Sequence, residues 1–565
     1  MSGHSKEGVR LCEHIVAQAF GSIVQRVAST LLNRGRLPAT TVARLSGLSP
    51  HVTNASLLIL LQHNLVQSNG ASVKQTGEDE QYEFNVDECL LRLRWGRILA
   101  ITHEKLDLVA VQVVKQLMIY GKLRVPDIVS ACGGDSDAIR AEAVTNTIIS
   151  LLLNRFLECT APELQILESD QIDRRFAANR KRMVLAQGSS LLSANDLENC
   201  RLEASHDVRT EATSLRAVSN ILIQKPKIDP KKKRKPANAN PIDDFDFSLK
   251  ENVHLRVNYD RYGVFIRNEL IVKAAEDRWN KGAGVVMRAV LEGSVQDSSA
   301  LRDDRTHDPV SINTIISSIP PSSAPLLLAG ISAPSKSSLP DLARHYLTIL
   351  AAEDQVGNGG WLVREGSTNP GYRVEFEAIC VRMRESLLGD LVREKLGDKA
   401  ARVLAVVTKS NKAFETTIRD CAMVSLRDAR YILAELQQLS LVETQEVPKT
   451  AAKSRLGLPS SAEYHLWAVD LPRVYGVLLT SVYKALGNIL QRKAAEIGKK
   501  STVLAREQRV LGHEGGRGLL QLKDQEDLAE LDDSMNKLTL AELRSELVVF
   551  ILRDLPGWPG SGVLA

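Results

Sequence analysis

Five consecutive cations, Lys231, Lys232, Lys233, Arg234 and Lys235, stand between Pro230 and Pro236. A run of this density cannot enter a core and stays in water. Flanking prolines keep it extended, and an extended cationic run offers itself to an acidic groove, which is the chemistry of a nuclear import signal. The plainer alternative is a linker kept soluble by its charge. Contact with nucleic-acid phosphate is compatible with both. The nearby "DDFDF", 243–247, reads as solvated sequence or as an acidic–aromatic contact motif.

Other binding chemistry would have to come from helices. Reading base edges in a major groove takes Arg, Lys, Asn or Gln on the exposed side of a recognition helix. Four predicted helices offer few. The first carries His51, Asn54, Gln62 and His63 without Lys or Arg; the second Arg140 and Asn146; the third Arg344 and His345; the fourth Arg427 and Arg430. Each neutralised phosphate adds only about 0.9 to the salt slope, so useful affinity takes several cations together. Protein docking is the expected use of most of these faces, with DNA contact at an assembled surface.

Catalytic signatures are missing. No H-E-x-x-H, P-loop or G-x-S-x-G occurs. "GAG" at 282–284 lies inside a helical pattern without the strand a dinucleotide site needs, and "GHEGGRG" at 512–518 has neither that strand nor a G-K-S ending. His51, His63 and Cys89 lack metal-ligand spacing. No catalytic residue, cofactor or metal is expected.

The elements that carry these residues repeat. "SLLILLQHNLVQ", 56–67, and "YILAELQQLSLVE", 431–443, share a skeleton: Leu57, Leu60, Leu65 and Val66 answer Leu433, Leu436, Leu441 and Val442. Ile148, Leu151, Phe156 and Leu157 occupy it again. Each copy ends a third helix and opens a strand, giving helix, helix, helix, strand, loop, strand. That is the order of a winged helix, a three-helix core carrying a β-hairpin.

In the first unit helix one is "CEHIVAQAFGSIVQRVASTLLNRG"; Ser49 and Pro50 open helix three. The second begins with "ILAITHEKLDLVAVQVVKQLMIYGK" and has no prompt return strand; "VHLRVNY", 253–259, is the candidate. The third begins with "FIRNELIVKAAEDRWNKGAGVVMRAVLEG", and "WLVRE" with "YRVEF" forms its hairpin. The fourth begins with "RESLLGDLVREKLGDKAARVLAVVTKS", and Ser425 and Asp428 have capping-box spacing. After Asp470 apolar residues recur at Leu479, Val482, Leu486 and Ile489, then at Leu528, Leu531, Met535 and Leu538, which predicts two long helices folded back on each other.

The expected fold class is mainly α with small β-hairpins: four tandem winged-helix domains plus a C-terminal antiparallel helical hairpin, a coiled coil. The expected boundaries are 1–90, 97–159 with its return strand at 253–259, a basic flexible insertion at 160–250, 261–378, 381–470, and the hairpin at 471–557.

The totals agree with this organisation. At 565 residues the chain exceeds one core. With aromatics at 4%, its cores must be aliphatic. Net charge is +4, too small for broad nucleic-acid binding. Seven dispersed cysteines without a C-x-x-C read as reduced thiols of the cytosol or nucleus. The start lacks an apolar h-region and no apolar run approaches the length of a membrane span, so neither a secretory signal nor a membrane partner is expected.

Four winged helices, a basic insertion in the second and a C-terminal helical hairpin resemble the largest subunit of the detachable initiation heterotrimer of RNA polymerase III, fungal members above all. The strongest stretches are "LCEHIVAQAFGSIVQRVASTLLNRGRLP", "NYDRYGVFIRNELIVKAAEDRWN" and "IRDCAMVSLRDARYILAELQQLSLVET". The build is also similar to the large subunit of general initiation factor IIE, although this chain lacks the cysteines of that protein's zinc module. The resemblance implies a nuclear, non-catalytic polymerase subunit. It implies docking on the clamp of the largest polymerase subunit, chiefly through the helical C-terminal part. The implied partners are two smaller heterotrimer subunits, a promoter-bound initiation factor and DNA near the transcription start, in the service of transfer RNA and 5S RNA synthesis. The alternative is a free-standing winged-helix DNA-binding transcription regulator, against which the composition of the third helices speaks.

Overall fold

The computed structural model describes residues 5–70, 80–133, 138–187, 193–226, 245–294, 300–330, 338–352, 360–366, 371–448, 463–510 and 516–557. The chain divides into two compact units, residues 1–262 with 487–543 and residues 263–486 with 544–565.

The first winged helix contains α1 (Lys6–Phe20), α2 (Ser22–Arg34), β1 (Leu37–Pro38), α3 (Ala39–Ser46), α4 (Pro50–Gln62), β2 (Val66–Ser68) and β3 (Gln81–Phe84), followed by α5 (Val86–Leu91). The second contains α6 (Trp95–Lys105), α7 (Leu108–Tyr120), β4 (Leu123–Arg124), α8 (Val125–Ala131), α9 (Ala138–Leu153) and β5 (Leu157–Thr160). Then come α10 (Glu168–Gln187), α11 (Ala194–Arg216), β6 (Leu222–Pro226), β7 (Phe245–Leu249) and β8 (His254–Val257).

The third winged helix has α12 (Tyr259–Arg278), α13 (Lys281–Ser294), β9 (Val310–Ser311), α14 (Ile312–Ser318), a short α15 (Ala324–Ala329), α16 (Leu339–Ala351), β10 (Leu362–Glu365) and β11 (Gly371–Val374). The fourth has α17 (Phe376–Leu396), α18 (Asp398–Ser410), β12 (Lys412–Ala413), α19 (Glu415–Ala422), α20 (Leu426–Gln438), β13 (Glu443–Pro448) and β14 (Glu463–Ala468). Among the described residues that follow are α21 (Leu471–Lys499), α22 (Ser501–Val510) and α23 (Leu522–Val549), which runs on into a π-helical turn, Phe550–Asp554.

Four three-stranded antiparallel sheets repeat one order: β1–β3–β2, β4–β8–β5, β9–β11–β10 and β12–β14–β13. In each, the two-residue strand before helix two pairs with the returning strand of the hairpin. β8 supplies that strand to the second sheet, with Leu157 opposite Val257 and Leu123 opposite Leu255.

The repeated skeleton is a helix stop. Asn64, Arg155 and Ser440 follow their third helices at φ 57°, 60° and 57°. The next N–H then reaches back: Leu65 to the Leu60 carbonyl at 2.9 Å, Phe156 to Leu151 at 2.9 Å, Leu441 to Leu436 at 3.0 Å. The left-handed residues donate one turn in, to Leu61, Leu152 and Gln437. These are Schellman closures, in which paired bonds satisfy the last carbonyls and press the first residue beyond the helix onto its last turn. All six paired apolar side chains are buried. The third winged helix differs: the N–H that reaches the Leu350 carbonyl, at 3.1 Å, is that of Trp361, eleven residues on.

Two sequence expectations are corrected here. Each long helix one is two helices. Gly21 (φ 86°, ψ 176°) separates α1 from α2, and Gly397 (φ 87°, ψ 175°) separates α17 from α18 in almost the same conformation, one that L side chains disfavour. Asp107, in extended backbone, stands at the N-cap position of α7, and Asn280 accepts the Ala283 N–H at 2.8 Å to start α13. Apolar periodicity continues across these breaks because both pieces face the same core, so the pattern conceals them.

The insertion at 160–250, expected to be flexible, holds α10 and α11. They pack through a seam of small residues, Cys200, Ala204 and Val208, one turn apart. Ion pairs join them, Arg182 with Glu203 at 3.1 Å, Arg209 with Glu168 at 3.4 Å, and Arg175 with Glu211. The segment is also anchored on the first hairpin: the Leu167 N–H donates to the Ser68 carbonyl, and Arg36 meets Asp170 at 3.0 Å. A charged exterior around a small-residue seam has too little apolar contrast to read as helix from sequence.

Residues 487–543 of the first unit use charge similarly. Lys493 pairs with Glu542, Lys500 with Asp527 at 3.0 Å, and Arg506 with Asp524 at 3.0 Å. Partner numbers fall along α23 as they rise along α21 and α22, so the segments run antiparallel. Lys493 is itself buried, and the apolar cluster between α22 and α23 is small: Val503, Leu520 and Leu528.

The first two winged helices are locked together. Gln62 donates to the carbonyls of Tyr120 (3.2 Å) and Lys122 (2.5 Å), and a Cβ on Gly121 would meet the Gln62 carbonyl at 2.5 Å. The Lys122 ammonium donates to the Leu61 carbonyl at 3.0 Å, capping α4 from the neighbouring module. Burial, then the charge of Arg256, push its pKa from 10.5 down to about 8, with Glu88 pulling the other way. Between those two values the unfolded chain binds more protons than the folded one, so stability rises with pH. Denaturant midpoints of the wild type are expected to rise between about pH 8 and about pH 10 relative to Lys122→Met, which loses this term; parallel pH profiles would refute it.

Candidate docking and nucleic-acid surfaces

Helix three of a winged helix is the element that meets a partner, so its exposed side decides what partner is possible. On α4 the exposed residues include His51, Asn54, Ala55, Leu58, Ile59 and Gln62. None is Lys, Arg, Asp or Glu. His63, just beyond, is held neutral: burial, then Arg92 and Lys122, lower its pKa to about 3, and its ring lies 4.8 Å from that of Phe20.

On α9 Arg140 and Asn146 are both exposed. Arg140 donates to the Gln112 side chain at 3.4 Å, a contact with α7. Arg344 and His345 are exposed on α16, where Arg344 pairs with Asp341 at 3.2 Å. That ion pair spends part of the charge a phosphate would need.

The fourth winged helix presents the most cationic face. Ser425 caps α20 by accepting the Asp428 N–H at 3.1 Å, which fixes its first turn. Arg427, Arg430 and Tyr431 are exposed along it. Arg430 makes a two-pronged pair with Glu415, and Asp428 pairs with Lys399 at 3.0 Å. Arg427 has no ion-pair partner among the described residues and is the freest cation of the helix. Sequence reasoning missed two neighbours. Tyr431 lies one turn beyond Arg427 and is 67% exposed; Met423, at φ 53° in the turn before α20, is 84% exposed. The signal for Tyr431 was its i+4 spacing from Arg427; a left-handed methionine leaves no signal in sequence.

The candidates therefore form no single site. Arg140 and Asn146 belong to the first unit, the other four to the second, where α16 and α20 share no hydrogen bond or ion pair among the described residues. Lys231 to Lys235, the nuclear import candidate, lies outside the described residues, between the paired strands β6 and β7. Among the described residues no group of three or more His, Cys, Asp or Glu side chains is placed to hold a metal ion, and no helix is long and apolar enough to cross a membrane.

Comparison with known proteins matches these modules in order. Residues 10–68 match the RNA polymerase III subunit RPC82 helix-turn-helix domain, residues 193–364 match RNA polymerase III subunit RPC82, and residues 388–469 match the POLR3C C-terminal winged-helix domain. Together they span more than half of the chain. Similar proteins run nearly end to end. DNA-directed RNA polymerase III subunit RPC3 of Homo sapiens is 23% identical over 97% of this chain and 97% of its own length. The subunit rpc3 of Botryotinia fuckeliana is 22% identical over 89% of this chain and 93% of its own, and RPC-3 of Coccidioides immitis 22% over 97% and 100%. With four same-order winged-helix sheets beneath these matches, the chain belongs to the RPC82 family of RNA polymerase III subunits.

Proposed function

We propose that this chain is a non-catalytic scaffold subunit of DNA-directed RNA polymerase III. It docks on the clamp of the largest polymerase subunit, holds the two smaller subunits of the initiation heterotrimer, and supports recruitment by a promoter-bound factor and DNA opening at transfer RNA and 5S RNA genes. It acts in the nucleus, imported through Lys231 to Lys235. The observation that carries the reading is the near end-to-end match to RPC3 subunits over a chain with four winged helices. The face of α4, which lacks Lys and Arg, and the ion pairing of Arg344 on α16 and Arg430 on α20 support docking to protein over independent reading of DNA.

Affinity purification of the full chain from nuclear extract, with mass spectrometry, tests it. Polymerase III subunits are the expected companions, and a preparation without them would overturn the reading. At residue level, reversing Arg427 and Arg430 to Glu is expected to weaken partner recovery or DNA opening. Where phosphate is the partner, the log–log salt slope should fall by about 1.8 for two lost contacts. The melting temperature should hold, because exposed substitutions shift stability by about 0.5 kcal/mol or less. Loss of the thermal transition would contradict this.

A further inference from the structure

We propose that the junction of α4 and α7 is a docking surface for a protein segment that folds as an amphipathic helix with an apolar stripe and acidic flanks. Leu58 and Ile59 on α4 are 68% and 40% exposed, and Ile119 and Tyr120 at the end of α7 are 48% and 51% exposed. The hydrogen bond from Gln62 to the Tyr120 carbonyl joins them. Leu58 and Ile59 precede Gln62 by one turn, so they share its side of α4. Four large exposed apolar side chains thus flank one inter-module hydrogen bond, two on each helix, which is how an interaction patch differs from scattered exposed apolar residues.

The surface has length as well. Along α7, Leu108, Gln112, Lys115 and Ile119 are exposed at spacings of four, three and four. This ridge of three turns, about 16 Å long, matches a helix of similar length laid alongside.

Charge selects the flanks. Between them α4 and α7 carry one charged residue, Lys115. Beside Lys115, Gln112 accepts from Arg140, which brings a second cation to the same ridge. Neither has an ion-pair partner among the described residues. Glu142, two residues past Arg140, lies on another side of α9. Lys115 within the ridge and Arg140 beside it favour carboxylates on the partner opposite its middle, while exposed Asp107 borders only its Leu108 end. Too few cations face α4 for a nucleic-acid backbone, and an apolar stripe offers a phosphate nothing.

The inference deepens the scaffold reading and rests on it in one respect, that the third helix of the first winged helix faces protein. The test uses the full chain and two designed, labelled helical peptides with the same leucine stripe, one flanked by Glu and one by Lys, titrated by fluorescence anisotropy. The Glu peptide is expected to bind at least about tenfold tighter, with Leu58→Ser and Ile119→Ser each weakening it about tenfold, as truncation of a central apolar anchor does. Lys115→Glu with Arg140→Glu should reverse the preference, and unchanged melting curves are expected because all four side chains are exposed. No binding, equal binding of the two peptides, indifference to Leu58→Ser, or a preference unmoved by the charge reversal would overturn the proposal. So would displacement of the peptide by single-stranded oligonucleotide that depends on Leu58, since that assigns the face to nucleic acid. Purification without polymerase subunits would fell the scaffold reading and leave these titrations as they are.

Discussion

Leu436→Asp is expected to unfold the fourth winged helix while leaving the first unit folded. Leu436 is fully buried, touches the core that includes Ile418, Leu433 and Val442, and offers the carbonyl that accepts the Leu441 N–H. A carboxylate there has no partner and must either ionise in an apolar core or hold its proton at a cost. The loss should be at least about 4 kcal/mol, a large part of the stability of a domain this size. Hydrogen exchange read by mass spectrometry gives the local answer: amides from 398 to 442 lose protection, whereas those of α2 and α4 keep it. Tyr431→Asp, five residues earlier on the exposed side of the same helix, is the control and should leave protection intact. Protection retained in Leu436→Asp would mean that the repeated skeleton does not mark the core.

That skeleton shows why the fold was legible. A Schellman closure puts an apolar residue on each side of the helix stop, so Leu60 and Leu65, Leu151 and Phe156, Leu436 and Leu441 repeat at fixed spacing whatever lies between. The residue that makes the turn is Asn, Arg or Ser and carries no pattern. Helix order and core positions could therefore be read, although the left-handed turn itself could not.

What escaped notice has a different physical origin. The breaks at Gly21 and Gly397 lie within continuous apolar periodicity, and glycine inside a helical pattern is ambiguous until its φ is known. The helices α10 and α11 depend on cross-helix ion pairs and a seam of Cys and Ala, neither of which raises a periodic signal. The candidate cations were individually visible. Whether Arg344 and Arg430 are spent on Asp341 and Glu415 depends on rotamers, and Glu415 lies fifteen residues from its partner. The junction of α4 and α7 was harder still, since Leu58 and Ile119 each look like core residues of their own amphipathic helix.

Long-range charge is the part that sequence hides most completely, and it carries the second large effect. Arg256 on β8 lies 2.9 Å from Glu158 on β5 and 3.4 Å from Glu88 on α5, which is 168 residues away along the chain. It ties the first winged helix to the sheet of the second. Burial opposes the Arg256 charge, yet Glu88 and Glu158 outweigh it and hold its pKa above the ordinary arginine value. For Glu158 burial dominates and raises the pKa, with Arg256 and then Arg216 pulling it back. Arg256→Met should therefore cost about 3 kcal/mol, because it leaves two carboxylates facing each other with their main counter-charge gone. The folded pKa of Glu158 then rises further above the unfolded one, so the folded variant binds a proton that the unfolded chain does not. The stability this confers is present at low pH and is lost as pH rises through the raised pKa. The deficit against wild type should accordingly be largest near about pH 8 and shrink toward about pH 5. Glu158→Gln in the Arg256→Met background should recover part of it at neutral pH, because it removes one of the stranded charges. Urea midpoints of the three proteins at both pH values measure all of this, and a deficit that stays flat with pH, or grows on acidification, would show that Arg256 contributes packing rather than charge.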